Sequence, residues 1–274
     1  MKSLEGRAIA VTGAGSGIGR ALALALAKRG AKLALCDKDA AGLAETTRML
    51  GNYPNTAAAF DVTDEVALKG WIDAAAAEYG GLDGIINNAG LSVVAPFTDT
   101  PKADFDRVMA VNFDAVVNGC RHAIPHLRKS SDAWLVNISS VFGMMGYPTQ
   151  SAYNASKYAV RGLTEALYLE LGQTDPQINV IRVHPGGIKT NVARNAKFIK
   201  GMDGRTNALD SGDEFEKSAR TTPADAAETI IRGMERGQHR VLIGGDARFI
   251  DLMTRLFPVS YFKRIGSFLG SGKS

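Results

Sequence analysis

The chain has 274 residues and a net charge of +4, and 45% of its residues are hydrophobic while 22% are charged. This length suits one large domain with a buried core, and this composition argues against a fibrous, disordered or membrane-spanning protein. The basic residues are interleaved with acidic ones, so no nucleic-acid partner is expected.

Short apolar runs alternate with helical patterns along the chain. Strands that alternate with helices imply parallel strands joined by right-handed crossovers, with helices on both faces of one sheet. The sequence therefore predicts a single α/β domain over residues 1–274, and the fourth helix has a candidate break at Pro125. Strands are predicted at residues 7–12, 32–36, 56–60, 84–87, 133–138, 178–183 and 240–243, and helices at 17–29, 40–50, 64–79, 102–128, 152–171 and 223–235.

Two cysteines, Cys36 and Cys120, lie in apolar surroundings and are expected to be buried and unpaired, as in a reducing compartment. Residues 1–6 are polar, and the apolar run that follows them is too short for a signal peptide. We therefore expect a cytoplasmic protein.

Two segments depart from the alternating pattern. Residues 191–221 are polar and glycine-rich, and they follow a strand end, where open α/β sheets bind their ligands, so we predict a substrate lid. Residues 246–274 form a C-terminal extension in which apolar and basic residues alternate. This extension either packs on protein and helps to close the pocket or lies on a membrane surface. Packing is favoured because Pro258 interrupts any long amphipathic helix.

A glycine-rich turn stands between the first predicted strand and the first predicted helix. Its glycines allow a tight turn and let the backbone approach a pyrophosphate, while the helix offers free N–H groups and the positive end of its dipole. This position favours a dinucleotide site over a plain flexible turn. The residues expected to bind the dinucleotide here are Gly13, Gly15, Ser16, Gly17, Ile18 and Gly19.

Polar residues at the ends of the next strands extend this site. A carboxylate at Asp37 can accept hydrogen bonds from the adenosine ribose and would repel a 2′-phosphate, so NAD is favoured over NADP. Lys38 follows and can pair with a phosphate, which leaves NADP open. Asp61, before Val62, either caps the next turn or binds the adenine amino group. The small residues Asn88, Ala89 and Gly90 would let the chain run beside the cofactor ribose.

Tyr153 and Lys157 lie four residues apart in a predicted helix, and therefore on one helix face. A lysine cation one turn away favours the tyrosinate and is expected to lower the tyrosine pKa from its usual value near 10. A phenol adjusted in this way can move a proton to or from a substrate oxygen near neutral pH.

Taken together, these motifs resemble the short-chain dehydrogenase/reductase family. The motifs follow the family's order and spacing across about residues 5–245. The resemblance implies a Rossmann-type, doubly wound sheet of seven parallel strands in the order 3-2-1-4-5-6-7, in a three-layer α/β/α domain that forms a homodimer or homotetramer. The residues that carry the resemblance are Thr12, Gly13, Gly17, Gly19, Asp61, Val62, Asn87, Asn88, Ala89, Gly90, Asn112, Asn137, Ile138, Ser139, Ser140, Tyr153, Lys157, Pro185 and Gly186.

The resemblance also implies the role of each catalytic residue. Tyr153 would be the general acid or base, and Lys157 would bind the nicotinamide ribose and lower the Tyr153 pKa. Ser140 would hydrogen-bond the reacting oxygen, and Asn112 would hold a water that joins Lys157 to solvent. The segment after the seventh-strand motif would contact the nicotinamide through Pro185, Gly186, Ile188 and Thr190.

The expected substrate is a hydrophobic secondary alcohol or ketone, because the loop that joins Ser140 to the tyrosine helix is mostly apolar. Arg194 and Lys197 in the predicted lid would meet an anionic substrate, although a solvated charge is the more common outcome. His122 and His126 have metal-pair spacing but no third ligand nearby in sequence, so no metal is expected. The substrate site is predicted to include Val94, Ser140, Phe142, Tyr147, Tyr153, Gly187 and Arg194.

The sequence thus predicts an oxidoreductase that moves a hydride between NAD and this alcohol or ketone. Two alternatives remain open: an NADPH-dependent carbonyl reductase, and a non-catalytic regulator of the same fold that senses the cofactor. The presence of the full set of Asn112, Ser140, Tyr153 and Lys157 favours an enzyme.

Overall fold

A computed structural model describes residues 1–189, 196–202, 204 and 221–265. Its centre is a seven-stranded parallel sheet with the strand order β3-β2-β1-β4-β6-β7-β9. This order reverses beside β1, so the carboxyl ends of β1 and β4 open onto a crevice. The strands are β1 Ala8–Thr12, β2 Lys32–Asp37, β3 Asn55–Ala59, β4 Gly84–Asn87, β5 Val93–Val94, β6 Ala133–Ile138, β7 Ile178–Pro185, β8 Lys197–Phe198 and β9 Arg240–Ile243.

Helices cover both faces of the sheet, as the alternating pattern predicts. Leu22 of α1 and Ile230 of α7 pack on one face, and Ile72 of α3 and Val160 of α6 pack on the other. The central strands are buried on both sides, which explains why their sequences lack polar alternation. The helices are α1 Gly17–Ala27, α2 Ala40–Leu50, α3 Glu65–Tyr79, α4 Lys102–Met109, α5 Ala115–Leu127, α6 Ser151–Thr174, α7 Pro223–Glu235, α8 Gly245–Leu256 and α9 Tyr261–Ile265.

The long helix predicted at residues 102–128 is interrupted at a different place from the one expected. A π-helical turn, Ala110–Asp114, separates α4 from α5, whereas Pro125 lies inside α5 without ending it. The proline is tolerated because buried residues such as Ala123 and Leu127 hold the helix against the sheet. The π turn widens the backbone around Asn112, a residue of the candidate site.

Most of the predicted lid lies outside the described residues, but residues 196–202 are described and are anchored. Strand β8 pairs with β5 in a separate two-stranded parallel sheet. Lys197 binds Asp104 at 2.7 Å, and Lys200 binds Asp99 at 3.0 Å. Lys197 is therefore neutralised by a partner on α4, which argues against the expectation that it meets an anionic substrate.

The first part of the C-terminal extension packs on its own subunit, as favoured from the sequence. Ile250 of α8 and Ile265 of α9 are buried against Met144 and Met145 of the loop after β6. Arg240 of β9 forms an ion pair with Asp251 of α8, which ties the extension to the sheet edge. Among the residues that the structure describes, no helix combines the length and apolarity needed to span a bilayer.

Candidate active site

The glycine turn between β1 and α1 has the geometry expected of a phosphate site. Gly13 has a φ of +68°, which favours glycine, and a Cβ on Gly19 would lie 2.0 Å from the carbonyl oxygen of Gly13. The side chain of Ser16, the residue before α1, makes no capping hydrogen bond. The first N–H groups of α1 have no partner within the helix and receive none from the Ser16 side chain, so they suit a pyrophosphate.

Asp37 lies where β2 ends, beside this turn. Its carboxylate accepts hydrogen bonds from the backbone N–H of Gly15 at 2.8 Å and of Asp39 at 2.9 Å. These bonds fix the carboxylate against the glycine turn, and its remaining lone pairs stay available for ribose hydroxyls. Lys38 is exposed beside it.

The other predicted dinucleotide residues support the same crevice from the ends of β3 and β4. The Asp61 carboxylate accepts from the Thr63 N–H at 3.0 Å and pairs with Arg107, so the capping role proposed for it is present. The Asn88 amide donates to the Thr12 carbonyl at 2.9 Å, which fixes the turn after β4 to the glycine turn. Val62 is buried in the core, where only its backbone is left to contact a ligand.

Tyr153, Ser140 and Lys157 come together where β6 ends and α6 begins. The Ser140 side chain hydrogen-bonds the Tyr153 phenol, and its Oγ also accepts from the Phe142 N–H at 3.1 Å. The Lys157 Nζ donates to the carbonyl oxygen of Ile138 at 2.9 Å and lies 5.5 Å from the centre of the Tyr153 ring. Neighbouring Ser139 has a structural contact instead, because its Oγ donates to the Lys157 carbonyl.

The expected lowering of the Tyr153 pKa is wrong for this structure. Burial raises the Tyr153 pKa to about 12, and the hydrogen bond from Ser140 opposes this rise only in part. Burial also lowers the Lys157 pKa to about 8. The reason is geometric: the Lys157 ammonium lies over the face of the phenol ring and donates to Ile138, while both groups lose water.

Asn112 is fully buried on the π turn and uses its amide to fix the segment after β4. Its Oδ1 accepts from the Leu91 N–H at 2.9 Å, and its Nδ2 donates to the Leu91 carbonyl and to Ser156 Oγ. A Cβ on Gly90 would lie 3.3 Å from Asn112 Oδ1 and 3.7 Å from Lys157 Nζ. Asn112, Gly90 and Lys157 therefore meet at one point beside the crevice. The predicted water-holding role of Asn112 stays a prediction.

Three aromatic rings form one wall of the predicted substrate site. Phe142 stacks on Tyr147 with ring centres 5.2 Å apart, and its edge meets Tyr153 at 6.1 Å with an interplanar angle of 87°. All three side chains are half-buried, so part of each is open to contact with a ligand. Val94, in β5, is also half-buried.

Other residues of the predicted site are buried in the core or lie outside the described residues. Met144 and Met145, in the apolar loop after Ser140, are buried against the C-terminal extension rather than lining the site, and Met145 is fully inaccessible. Pro185 ends β7, and Ile188 has its side chain in the main core, so its backbone is the part left to face a ligand. Thr190 and Arg194 lie outside the described residues.

His184, which precedes Pro185, is packed in the interior. It is buried with Nδ1 3.1 Å from the Ser140 carbonyl oxygen, and burial lowers its pKa to about 4, so it stays neutral at physiological pH. His122 and His126 contact Glu65 and Asp73 of α3. No group of three or more side chains with metal-binding chemistry occurs within the described ranges.

Sequence reasoning missed three residues that shape the site. Asn154, the second residue of the tyrosine motif, donates from Nδ2 to the carbonyls of Phe142 at 2.8 Å and Met145 at 2.7 Å. Asp246 and Tyr261 of the C-terminal extension accept hydrogen bonds from two loops beside the site. Only Asn154 carried a local signal, because it directly follows Tyr153 in the Tyr-x-x-x-Lys motif.

Comparisons with known proteins agree with this geometry. The family model for short chain dehydrogenases matches residues 7–198. The chain is 43% identical over 272 residues to a putative oxidoreductase, SadH, of Mycobacterium tuberculosis, with 97% of this chain and 96% of that protein covered. It is also 35% identical over 194 residues to the cyclopentanol dehydrogenase of Comamonas testosteroni, with 69% of this chain and 76% of that protein covered.

A solved structure of a short-chain dehydrogenase/reductase from Burkholderia phymatum, in complex with NAD, matches with a TM-score of 0.81 and 26% identity. The match covers 100% of this chain and 98% of that chain. The predicted fold and strand order are thus confirmed. Because the family model covers more than half of the chain, and the SadH match extends over nearly all of both proteins, we conclude that the protein belongs to the short-chain dehydrogenase/reductase family of oxidoreductases acting on CH–OH groups.

Proposed function

We propose that the protein is an NAD-dependent dehydrogenase that interconverts hydrophobic, alicyclic secondary alcohols and their ketones. The observation that carries the proposal is the meeting of Tyr153, Ser140 and Lys157 next to the segment that also holds the glycine turn. The Asn88 amide donates to the Thr12 carbonyl, and a Cβ on Gly90 would lie 3.7 Å from Lys157 Nζ. The similar structure from Burkholderia phymatum holds NAD, and the Comamonas relative is named for a cyclic secondary alcohol.

The residues at the crevice fit a dinucleotide. The free N–H groups at the start of α1 suit the pyrophosphate, and Asp37 suits the ribose of the adenosine half. A bound nicotinamide would supply the hydride acceptor for alcohol oxidation, or the hydride donor for ketone reduction, and its oxidised ring would add a positive charge to the site. The backbone of residues 186–188 would face this ring.

Tyr153 moves the proton at its Oη. Because burial keeps the phenol protonated, Tyr153 is ready to give its proton to a carbonyl oxygen in the reductive direction. In the oxidative direction the phenol has to be ionised first, and nearby positive charge favours that form. Ser140 Oγ stabilises charge that develops on the substrate oxygen as a fixed dipole.

The half-buried rings of Phe142 and Tyr147 favour an apolar substrate, because a polar one would lose water there without gaining hydrogen bonds. They offer a flat, stiff wall for a ring-shaped ketone. Lys197 is paired with Asp104, so within the described residues it offers no free cation for an anionic substrate.

An NADPH-dependent carbonyl reductase is the second candidate, favoured by exposed Lys38 next to Asp37. A panel of cyclic and open-chain secondary alcohols and ketones, run with NAD(H) and NADP(H) at 340 nm, tests both. We expect turnover of cyclic substrates with NAD(H), and activity with NADP(H) alone would favour the reductase. The absence of turnover with either cofactor, despite dinucleotide binding, would support a cofactor-sensing regulator instead.

The family resemblance also supports a homodimer or homotetramer, and the free, buried thiols of Cys36 and Cys120 support a location in the reducing cytoplasm. Light scattering coupled to gel filtration measures the mass of the particle directly. A mass of two or four subunits agrees with this part of the proposal, and a mass of one subunit contradicts it.

A further inference from the structure

Two side chains of the C-terminal extension bind the two loops that flank the candidate active site. Asp246 Oδ2 accepts from the backbone N–H of Gly187 at 2.6 Å, on the side predicted to face the nicotinamide. Tyr261 Oη accepts from the backbone N–H of Gly146 at 2.9 Å, on the side of the aromatic wall.

Asp246 fits its loop closely. It lies in the first turn of α8, where the helix dipole favours a carboxylate. A Cβ on Gly186 would lie 2.2 Å from the Asp246 carboxylate, so this position has no room for a side chain. The Gly186–Gly187 pair therefore lets the loop approach Asp246. Two consecutive glycines usually make a loop more flexible, but here the hydrogen bond from Gly187 to Asp246 fixes the loop.

The same loop is held from its other end. The Lys189 N–H donates to the carbonyl oxygen of Thr221 at 3.0 Å, and Ile188 is bridged to Thr221. Residues 186–189 thus lie between Asp246 on one side and Thr221 on the other. The backbone that would face the nicotinamide is set by both contacts.

Tyr261 is joined to the catalytic phenol through the aromatic wall. Gly146, which donates to Tyr261, directly precedes Tyr147, and Tyr147 stacks on Phe142, whose edge meets Tyr153. Losing this hydrogen bond would free the outer end of the loop while leaving the buried cluster around Ile250 and Met145 in place.

We propose that Asp246 and Tyr261 are positioning residues with separate tasks: Asp246 sets the nicotinamide side of the site, and Tyr261 sets the substrate side. This inference rests on the proposed function. The apolar contacts of α8 and α9 already hold the extension on the subunit, so the two polar contacts serve the loops more than the stability of the fold.

The test compares Asp246→Ala, Asp246→Asn and Tyr261→Phe with the wild type, with Tyr53→Phe as a matched control at an exposed tyrosine. NADH fluorescence gives the dinucleotide dissociation constant, and steady-state kinetics with cyclopentanol at saturating NAD gives kcat and KM. Thermal melting shows whether each variant is folded. If Asp246→Ala does not fold, Asp246→Ser replaces it, because serine is well tolerated in the first turn of a helix.

We expect Asp246→Ala to weaken NADH binding about tenfold, as suits the loss of one charge-assisted hydrogen bond, with the KM for cyclopentanol unchanged. Asp246→Asn keeps an acceptor oxygen and should restore most of the affinity. Tyr261→Phe should raise the KM for cyclopentanol about threefold and leave NADH binding unchanged. Tyr53→Phe should change neither quantity.

The inference is overturned if the variants lower the melting temperature without this division between NADH affinity and KM, or if Asp246→Asn behaves like Asp246→Ala. Failure of the proposed function looks different, because the wild type itself would then fail to oxidise cyclopentanol or to bind NADH. If only oxidation fails, the NADH measurements still decide the role of Asp246, and a tenfold loss that Asp246→Asn restores would uphold it.

Discussion

Replacement of Lys157 by methionine should change how the stability of the protein depends on pH. Lys157 is 3% exposed, and burial lowers its pKa from 10.5 to about 8. Between these two values the unfolded chain binds more protons than the folded chain, so the free energy of unfolding contributed by this residue rises with pH. Below pH 8 the folded protein carries the full cost of a buried cation.

The size of the effect follows from the two pKa values. The cost of the buried cation below pH 8 is about 3 kcal/mol, and most of it, about 2–3 kcal/mol, is lost between pH 7 and pH 10. The buried thiols of Cys36 and Cys120 have raised pKa values and lower the stability above pH 9. They are present in both proteins, so the difference between wild type and Lys157→Met isolates the lysine.

Urea unfolding of both proteins at several pH values between 7 and 10 measures this difference. We expect the free energy of unfolding of the wild type to gain about 2–3 kcal/mol relative to that of Lys157→Met across that range. The loss of the hydrogen bond to the Ile138 carbonyl shifts the whole curve but does not bend it. If the difference in free energy of unfolding between the two proteins stays constant with pH, burial does not disfavour the charged form of Lys157 and the argument is refuted.

Three further predictions concern Gly119, Asp37 and Tyr153. Gly119→Ala should destabilise the protein by about 1–3 kcal/mol in urea unfolding, because its Cβ would lie 2.2 Å from the Asn87 amide oxygen, and an unchanged midpoint would contradict this packing. Asp37→Ala should lower the ratio of kcat/KM with NAD to that with NADP about tenfold, since the carboxylate that repels a 2′-phosphate is gone, and an unchanged ratio would argue against its place at the ribose. The kcat/KM for alcohol oxidation should rise from pH 7 to pH 9 while that for ketone reduction does not, because burial raises the pKa of Tyr153, and a flat oxidation profile would contradict that direction.

The sheet was predictable because its signals are local. Gly84–Asn87, Ala133–Ile138 and Arg240–Ile243 are short apolar runs between turn residues, and their predicted bounds are those of the structure. The glycine turn was predictable for the same reason, because the close approach of Gly19 to Gly13 that requires glycine lies within seven residues of sequence. The spacing of Tyr153 and Lys157 placed both on one face of α6 for the same reason.

What the sequence could not predict depends on contacts between distant segments. Asp246 and Tyr261 lie 59 and 115 residues beyond the glycines they bind, and no local pattern links them. The pKa of Tyr153 was mispredicted because helix spacing does not tell where an ammonium group points. Lys157 finds the carbonyl of Ile138, on a strand whose packing against α6 only the folded chain defines.

The role of Tyr153 is tested most directly by Tyr153→Phe, which removes the phenol oxygen and keeps the ring that meets Phe142. The measurements are kcat/KM with cyclopentanol and NAD, and the NADH dissociation constant, with Tyr53→Phe as control. We predict a loss of about a thousandfold in kcat/KM, with NADH binding largely unchanged. Turnover near the wild-type level in Tyr153→Phe would contradict the account.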